Sequence, residues 1–276
     1  MSKQILVTGG RGVLGRQLVS QLATAGYGVR GMSRGERPID LASNIEWVQA
    51  DLETGQGLPA AVRDVAIVVH AASDPRRAWQ TDVEGTRHLL AAAQVAHIEH
   101  IVYISIVGCD RMPYAYYRAK SAAEQVITAS DIPWSILRAT QFHDLLDYFL
   151  LALTRFPIAF LPAAWPYQPI DAGEVAKALV RCVVTGPAGR LPDMGGPQVL
   201  RMGELARLWL KARKLRRLIV PVLLPGKVAQ GFRRGYHTCP QNRQGTHTWQ
   251  QWLQQKYGVG AAPLITQPRL GEESGR

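Results

Sequence analysis

The sequence predicts an α/β protein: a Rossmann-type, doubly wound parallel sheet with a small, less regular C-terminal substrate lobe. Three observations predict it. Short apolar runs alternate with amphipathic helical patterns through the first half of the chain, as strands and covering helices do in a parallel sheet. A glycine-rich segment, TGGRGVLG, stands between the first run and the first helix. The 276 residues, 47% hydrophobic and 19% charged, supply a large core and exclude a disordered or collagen-like chain.

The elements follow in order. Gln4 to Thr8 is an apolar run that stops at glycines. Val13, Leu14, Leu18, Val19 and Leu22 recur at helical spacing, and Gly26 ends that helix. Val29 to Met32, Glu46 to Ala50 and Val65 to His70 read as strands, and Thr81 to His97 as a helix. Ile101 to Val107 is a fifth strand, Ala115 to Ser130 a helix, and Trp134 to Arg138 a sixth strand. From about residue 143 the alternation loosens and proline becomes frequent, with helices at Asp171 to Val184 and Gly203 to Lys214. These patterns divide the chain into a dinucleotide-binding unit at 1–142, joined by late elements from 167–200, and a substrate or lid lobe at 143–166 and 201–260. Residues 261–276 lack periodicity and are expected to be a flexible tail.

The glycine segment points to a phosphate site. Gly9 permits a tight turn, Gly12 lets backbone approach a pyrophosphate, and Gly15 lets the helix pack against the strand. Thr8, Gly9, Gly10, Arg11, Gly12, Val13, Leu14 and Gly15 are expected to bind the cofactor, with free amides and a positive dipole end supplied by the helix N-terminus. The second strand ends in VRGMSRGER, with Ser33 and Arg34 at its tip and no acid before Glu36. A cation there suits a ribose 2′-phosphate, where a carboxylate would suit a 2′-hydroxyl. Arg11 can grip the same phosphate with its planar fork. The expected cofactor is NADP(H) in preference to NAD(H).

An acid–base pair lies further on. Tyr116 and Lys120 are four residues apart in YYRAK, hence on one helix face. A tyrosine ordinarily titrates near ~10, and a neighbouring ammonium lowers that. Tyr116 is thus a candidate proton donor to a carbonyl that accepts hydride; Tyr117, three residues from Lys120, competes for the role, and Tyr114, six away, is a poorer match. His143 follows the sixth strand, at the sheet edge where ligands bind in such folds.

Taken together, TGGRGVLG, ADL at 50–52, VVHAAS at 68–73, TDVEGTRHLLAAA at 81–93 and YYRAK at 116–120 resemble the short-chain dehydrogenase/reductase superfamily. SILRATQFHD at 135–144 and QPIDAGEVAKAL at 168–179 are similar to its extended-to-atypical, NmrA-like branch, whose members are described as epimerases, dehydratases or NAD(P)-binding reductases. The resemblance spans about residues 3–260. It implies that Asp51 contacts the adenine amino group with Leu52 beside it, and that Ala71 and Ala72 line the cofactor. Lys120 would also hold the nicotinamide ribose, and Thr140, Gln141 and Phe142 would border nicotinamide and substrate. Two departures stand out. The family's catalytic serine after the fifth strand is represented only by Ser105, the catalytic candidate here, a residue or two early, with Ile106 and Val107 in the expected place. The family asparagine reads Asp82.

The remaining features narrow the expectations. Three cysteines exclude a disulfide scaffold and fit a reducing compartment, and no apolar run reaches transmembrane length, so a cytoplasmic protein is expected. His237, Cys239 and His247 match no four-ligand zinc spacing, and no metal is expected. The formal charge of +11 is uneven: residues 1–140 hold 14 Lys/Arg against 13 Asp/Glu, and residues 141–276 hold 18 against 8. The basic segment 201–243 is expected to be a solvated face or lid in preference to a membrane-surface or nucleic-acid contact. The leading expectation is an NADP-dependent oxidoreductase of a small or medium carbonyl or alcohol. The alternatives are an NADP(H)-sensing or scaffold protein of little turnover, and a sugar-nucleotide epimerase or dehydratase.

Overall fold

The computed structural model describes residues 3–258. The tail expected at 261–276 lies outside the described residues. Seven strands form a sheet in the order β3-β2-β1-β4-β5-β6-β9: β1 Gln4–Thr8, β2 Gly28–Ser33, β3 Glu46–Gln49, β4 Ile67–His70, β5 His100–Ile106, β6 Trp134–Ala139 and β9 Gly189–Arg190. Every pairing is parallel. The chain reverses its direction of travel across the sheet between β1 and β4, so a crevice opens at their carboxyl ends, where doubly wound sheets bind ligands.

The interior strands are buried along their length, so both faces need cover. On one face Ile5 and Val7 meet Leu14, Leu18 and Leu22 of α1 (Val13–Thr24) and Val175 and Leu179 of α6 (Ala172–Thr185). On the other, Leu6, Val68 and Ile101 meet Leu58 of α2 (Leu58–Val62), Leu89 of α3 (Gly85–Val95) and Ala123 and Ile127 of α4 (Ala115–Thr128). The helix expected over Thr81 to His97 is divided. It opens as a π-type turn, Trp79–Glu84, in which the amide of Gly85 bonds to the carbonyl of Gln80, and becomes α-helical only from Gly85. Apolar periodicity does not distinguish the two windings, because both keep one face on the sheet.

A third core forms beyond β6. It joins α5 (His143–Leu153), β7 (Ile158–Leu161), α7 (Met202–Ala212) and α9 (Trp249–Tyr257) through Leu146, Leu161, Leu205, Trp209, Trp249 and Trp252. The apolar stripe of α7 faces this core: Leu205 and Trp209 are fully buried. Short pairings β8 (Pro166–Tyr167) with β10 (Leu200–Arg201), and β7 with β11 (Leu218–Pro221), complete the lobe with α8 (Lys227–Arg233).

Four buried histidines weaken the fold in acid. Burial holds His70 down at about 3, and His100, His143 and His237 at about 4, against 6.5 for an exposed imidazole. The unfolded chain takes up protons below pH 6.5 while the folded chain refuses them. Stability is therefore complete above about pH 6.5 and falls as pH drops toward 4, by up to about 1.4 kcal/mol per pH unit for each histidine. Urea denaturation at pH 7, 6 and 5 is expected to show a steadily falling midpoint.

Candidate functional site

The floor of the crevice is bare backbone. Gly9 has φ +68°, and a Cβ there would stand 2.8 Å from Ala72 Cα; one on Gly15 would stand 2.0 Å from the Gly9 carbonyl oxygen. Gly12 caps α1 without a side-chain bond, which leaves the first-turn amides free for an anion. Val13 contributes backbone there, as does Leu14, whose side chain belongs to the core. Thr8, expected to contact the cofactor, instead builds the wall. Its hydroxyl oxygen accepts from the amides of Ala71 at 3.1 Å and Ala72 at 3.2 Å, so its proton goes to His70 Nδ1, 2.7 Å away. His70 therefore carries its hydrogen on Nε2 and donates to Thr86 Oγ1 at 3.1 Å, which in turn donates to the Asp82 carbonyl.

A cleft of about 210 Å³ runs from this floor along Arg11, Ser33, Arg34, Asp51 and Ser73. Its bare glycine cradle and open amides fit a dinucleotide. Arg11 lies across Gly35, where an added Cβ would stand 2.0 Å from its Nη1, so Arg11 and Arg34 converge at the tip of β2. Ser33 Oγ closes a turn with the Gly35 amide at 3.1 Å. Sequence reasoning missed Glu53. This largely buried carboxylate receives Arg34 at 3.7 Å, Arg77 at 2.7 Å and the Thr81 hydroxyl at 2.7 Å. Asp51 Oδ1 caps the Glu53 amide at 2.9 Å, and Leu52 is buried behind it. A larger hollow of about 420 Å³ lies behind α1 between Arg16, Asp40 and Ile45, away from Tyr116.

At the other end, half-buried Tyr116 puts its hydroxyl 3.3 Å from Ser73 Oγ. Ser73 gives its one proton to Asp82 Oδ2 at 3.1 Å, so Tyr116 donates to Ser73. Asp82, fully buried, faces Lys120 Nζ at 3.2 Å as an ion pair without good hydrogen-bond alignment. Lys120 also donates to the Ile104 carbonyl at 2.9 Å and lies 4.4 Å from the centre of the Tyr103 ring. The lysine that the resemblance assigns to a ribose thus has its donors committed inside the protein. Burial alone would lower its pKa; Tyr103 and Asp82 more than offset that and raise it. Burial raises the Tyr116 phenol, Lys120 only partly counters this, and Asp82 adds to it. The net direction is opposite to the lowering expected from the lysine alone, and it keeps Tyr116 protonated as a donor. Ser73 could have been found in VVHAAS, where it follows the two alanines.

The helix that carries Tyr116 is anchored from below. Arg138 of β6 grips Glu124 with two bonds, 2.7 and 2.6 Å, and reaches Asp110 at 3.1 Å. Ser105, expected to be catalytic, is buried on this side. Its hydroxyl faces Cys109 Sγ at 3.8 Å and makes no hydrogen bond to Tyr116, because strand alternation turns it toward the anchor. Burial, reinforced by Glu124, pushes the Cys109 thiol up to about 12, so it is unreactive.

The expected substrate residues separate. Gln141 is buried and gives its Nε2 to the His237 carbonyl at 3.0 Å. Phe142 packs partly against the sheet core. His143 leaves the crevice altogether: it is fully buried among His247, Trp249 and Trp252, and its Nε2 meets the His247 carbonyl at 3.1 Å. The start of α5 turns its side chain into the lobe core. His237 is enclosed by Tyr167 and Phe232 and does not converge with His247; among the described residues no three His, Cys, Asp or Glu group could hold a metal.

A family described as NAD(P)H-binding matches residues 9–148. The photosystem II assembly factor Ycf39 of Trieres chinensis is 27% identical over 186 residues, 64% of this chain and 58% of the relative, so the chain spans about six-tenths of that protein. The (4-alkanoyl-5-oxo-2,5-dihydrofuran-3-yl)methyl phosphate reductase of Streptomyces griseus is 28% identical over 205 residues, 72% of this chain and 70% of the relative. A nucleoside-diphosphate-sugar epimerase from Staphylococcus aureus has the same fold, with a TM-score of 0.74 at 18% identity, covering 92% of this chain and all of that one.

The Lys120–Asp82 pair yields a prediction. Breaking a buried pair by removing one charge costs about 3–5 kcal/mol. Asp82→Asn, which installs the family residue, is expected to lower the free energy of unfolding by about 3 kcal/mol. Chemical denaturation measures it, and an unchanged midpoint would show that the pair contributes no net stability.

Proposed function

The chain belongs to the NAD(P)H-binding family of the short-chain dehydrogenase/reductase superfamily, and from that premise we propose that it is an NADP-dependent oxidoreductase of a small or medium carbonyl or alcohol. One observation carries this reading: Ser73 is at once a wall of the cleft and the partner of the Tyr116 hydroxyl. The proton donor is thereby set at the edge of the space a dinucleotide would fill. The glycine floor and first-turn amides of α1 would hold the pyrophosphate, and Arg11, Ser33 and Arg34 the 2′-phosphate.

The bound dinucleotide supplies or takes the hydride. In the reducing direction Tyr116 gives its proton to the carbonyl oxygen. Ser73, released from its bond to Asp82, then donates to the phenolate, and Lys120 offsets the carboxylate left behind. Ser73 here takes the place of the serine that the family carries after the fifth strand. The relationship to a named reductase supports the reaction class.

A second reading, an NADP(H)-binding protein of little turnover, draws on two points: by the family resemblance Ile106 and Val107 occupy the serine's place, and Lys120 is committed internally.

The two cofactor arginines separate the cofactors. Losing one charge-assisted contact costs about 1.5–3 kcal/mol, roughly ten- to a hundredfold in affinity. Arg34→Ala is expected to weaken NADPH binding at least about tenfold and NADH binding less than about threefold, and Glu53→Gln to strengthen NADPH binding. Calorimetric titration decides it; equal wild-type affinity for both cofactors overturns the phosphate clamp.

Turnover is tested separately. NADPH oxidation against a carbonyl panel is expected to fall by about 10²-fold or more in Tyr116→Phe and to be reduced in Ser73→Ala, with NADPH affinity retained. Tight NADPH binding with no turnover in the wild type would favour the second reading.

A further inference from the structure

The pair β7 and β11 is a parallel two-stranded sheet, in register from Leu218 opposite Ile158 to Pro221 opposite Leu161. Its inner face is sealed: Ala159 and Leu161 are fully buried in the lobe core. Its outer face carries Ile158 and Phe160 beside Leu218 and Val220, with Phe160 and Leu218 each 61% exposed. Parallel strands are normally covered on both faces, and an outer face exposed to water is normally polar. The patch continues around the sheet. Phe156 precedes it, Leu223 follows it at 83% exposure, and the end of α5 presents Leu151 and Leu153. Exposed apolar side chains gathered in this number on and beside one small sheet mark a contact.

The chemistry around the patch identifies the contact. Residues 148–170 and 205–243 contain no Asp or Glu, and they hold eleven Lys and Arg. Arg155 lies over the Phe156 ring at 4.7 Å, and exposed Arg216 enters β11 two residues before Leu218. Exposed Lys227 follows the apolar stretch. Between residues 216 and 227 no neutral hydrogen-bonding side chain occurs. From 148 to 160 the only ones are Tyr148 and Thr154, and Thr154 is buried with its hydroxyl bonded to the Leu150 carbonyl. The acids of α5, Asp144 and Asp147, lie in its first half and are taken by Lys256.

We propose that this face seats the protein on an anionic lipid surface, with Phe160, Leu218 and Leu223 entering the acyl boundary and Arg155, Arg216 and Lys227 at the phosphates. An apolar face rimmed only by cations is the composition of an interfacial element. Long basic side chains lay their stems on apolar ground and reach the headgroups. A protein contact would be rimmed by neutral polar groups as well. A second copy would bring one acid-free cationic face against another. No helix among the described residues is long and apolar enough to cross a membrane, so the contact is peripheral.

The test is co-sedimentation of the full chain with vesicles. Binding is expected on phosphatidylglycerol–phosphatidylcholine vesicles and at least about tenfold weaker on pure phosphatidylcholine. It should weaken as salt shortens the screening length from about 10 Å at 0.1 M to about 3 Å at 1 M. Phe160→Glu combined with Leu218→Glu is expected to abolish binding, and Arg155→Ala combined with Arg216→Ala to weaken it about tenfold or more. Retained NADPH binding or an unchanged circular dichroism spectrum verifies that each variant is folded. If the glutamate pair misfolds, Phe160→Ser with Leu223→Ser serves the same purpose. No binding to the anionic vesicles, or equal binding by the folded glutamate pair, overturns the proposal. So does self-association, or capture of an acidic protein, that these substitutions abolish in the absence of any vesicle binding.

Discussion

The crevice depends on a buried chain of polar contacts that crosses the sheet. It runs from Thr8 through His70 and Thr86 to the backbone of Asp82, and from the Asp82 carboxylate to Lys120. Each link fixes the direction of the next, because the Thr8 oxygen already accepts two amides. The chain ties the end of β1 to β4, β4 to α3, and the π-type turn to α4. Buried polar groups of this kind are costly when unpaired, so the arrangement tolerates few alternatives. The same contacts hold the phosphate floor at one end and Tyr116 at the other.

The electrostatics of the site follow from that chain. A buried aspartate in place of the family asparagine demands a cation, and Lys120 supplies it. Lys120 is held inward by that pair, and Ser73 links Tyr116 to Asp82. The helix bearing Tyr116 is held a second time by Glu124 and Arg138, one turn further along. Ser105 and Cys109 face this anchor, Ser105 toward the Cys109 thiol and Cys109 toward Glu124. At the tip of β2, Glu53 shares Arg34 and Arg77, so the Arg34 guanidinium is already partly satisfied within the protein.

The C-terminal lobe has a different logic. It has its own core, built around Trp209, Trp249 and Trp252, and it meets the sheet through Gln141 and the backbone of Ile170. Asp147 gathers Trp209, Tyr257 and Lys256 inside it. The positive charge of the chain lies mostly on this lobe.

The sequence by itself determined the sheet, its covering helices and the glycine floor. These rest on local rules: apolar periodicity, strand length and the absence of a Cβ, each readable within a window of about ten to twenty residues. The pair Tyr116 and Lys120 was legible for the same reason, as a spacing on one helix. What tertiary structure decided lies in contacts between distant segments. Ser105 and His143 were placed in the site by position along the chain, and side-chain direction removed both. Ser73, Glu53 and the internal commitment of Lys120 arise because Glu53 meets Arg77 and Thr81, and Ser73 and Lys120 meet Asp82, only when α3 and α4 dock on the sheet. Burial then set the protonation of Tyr116 and His70, since the cost of taking a charge out of water depends on everything packed around it.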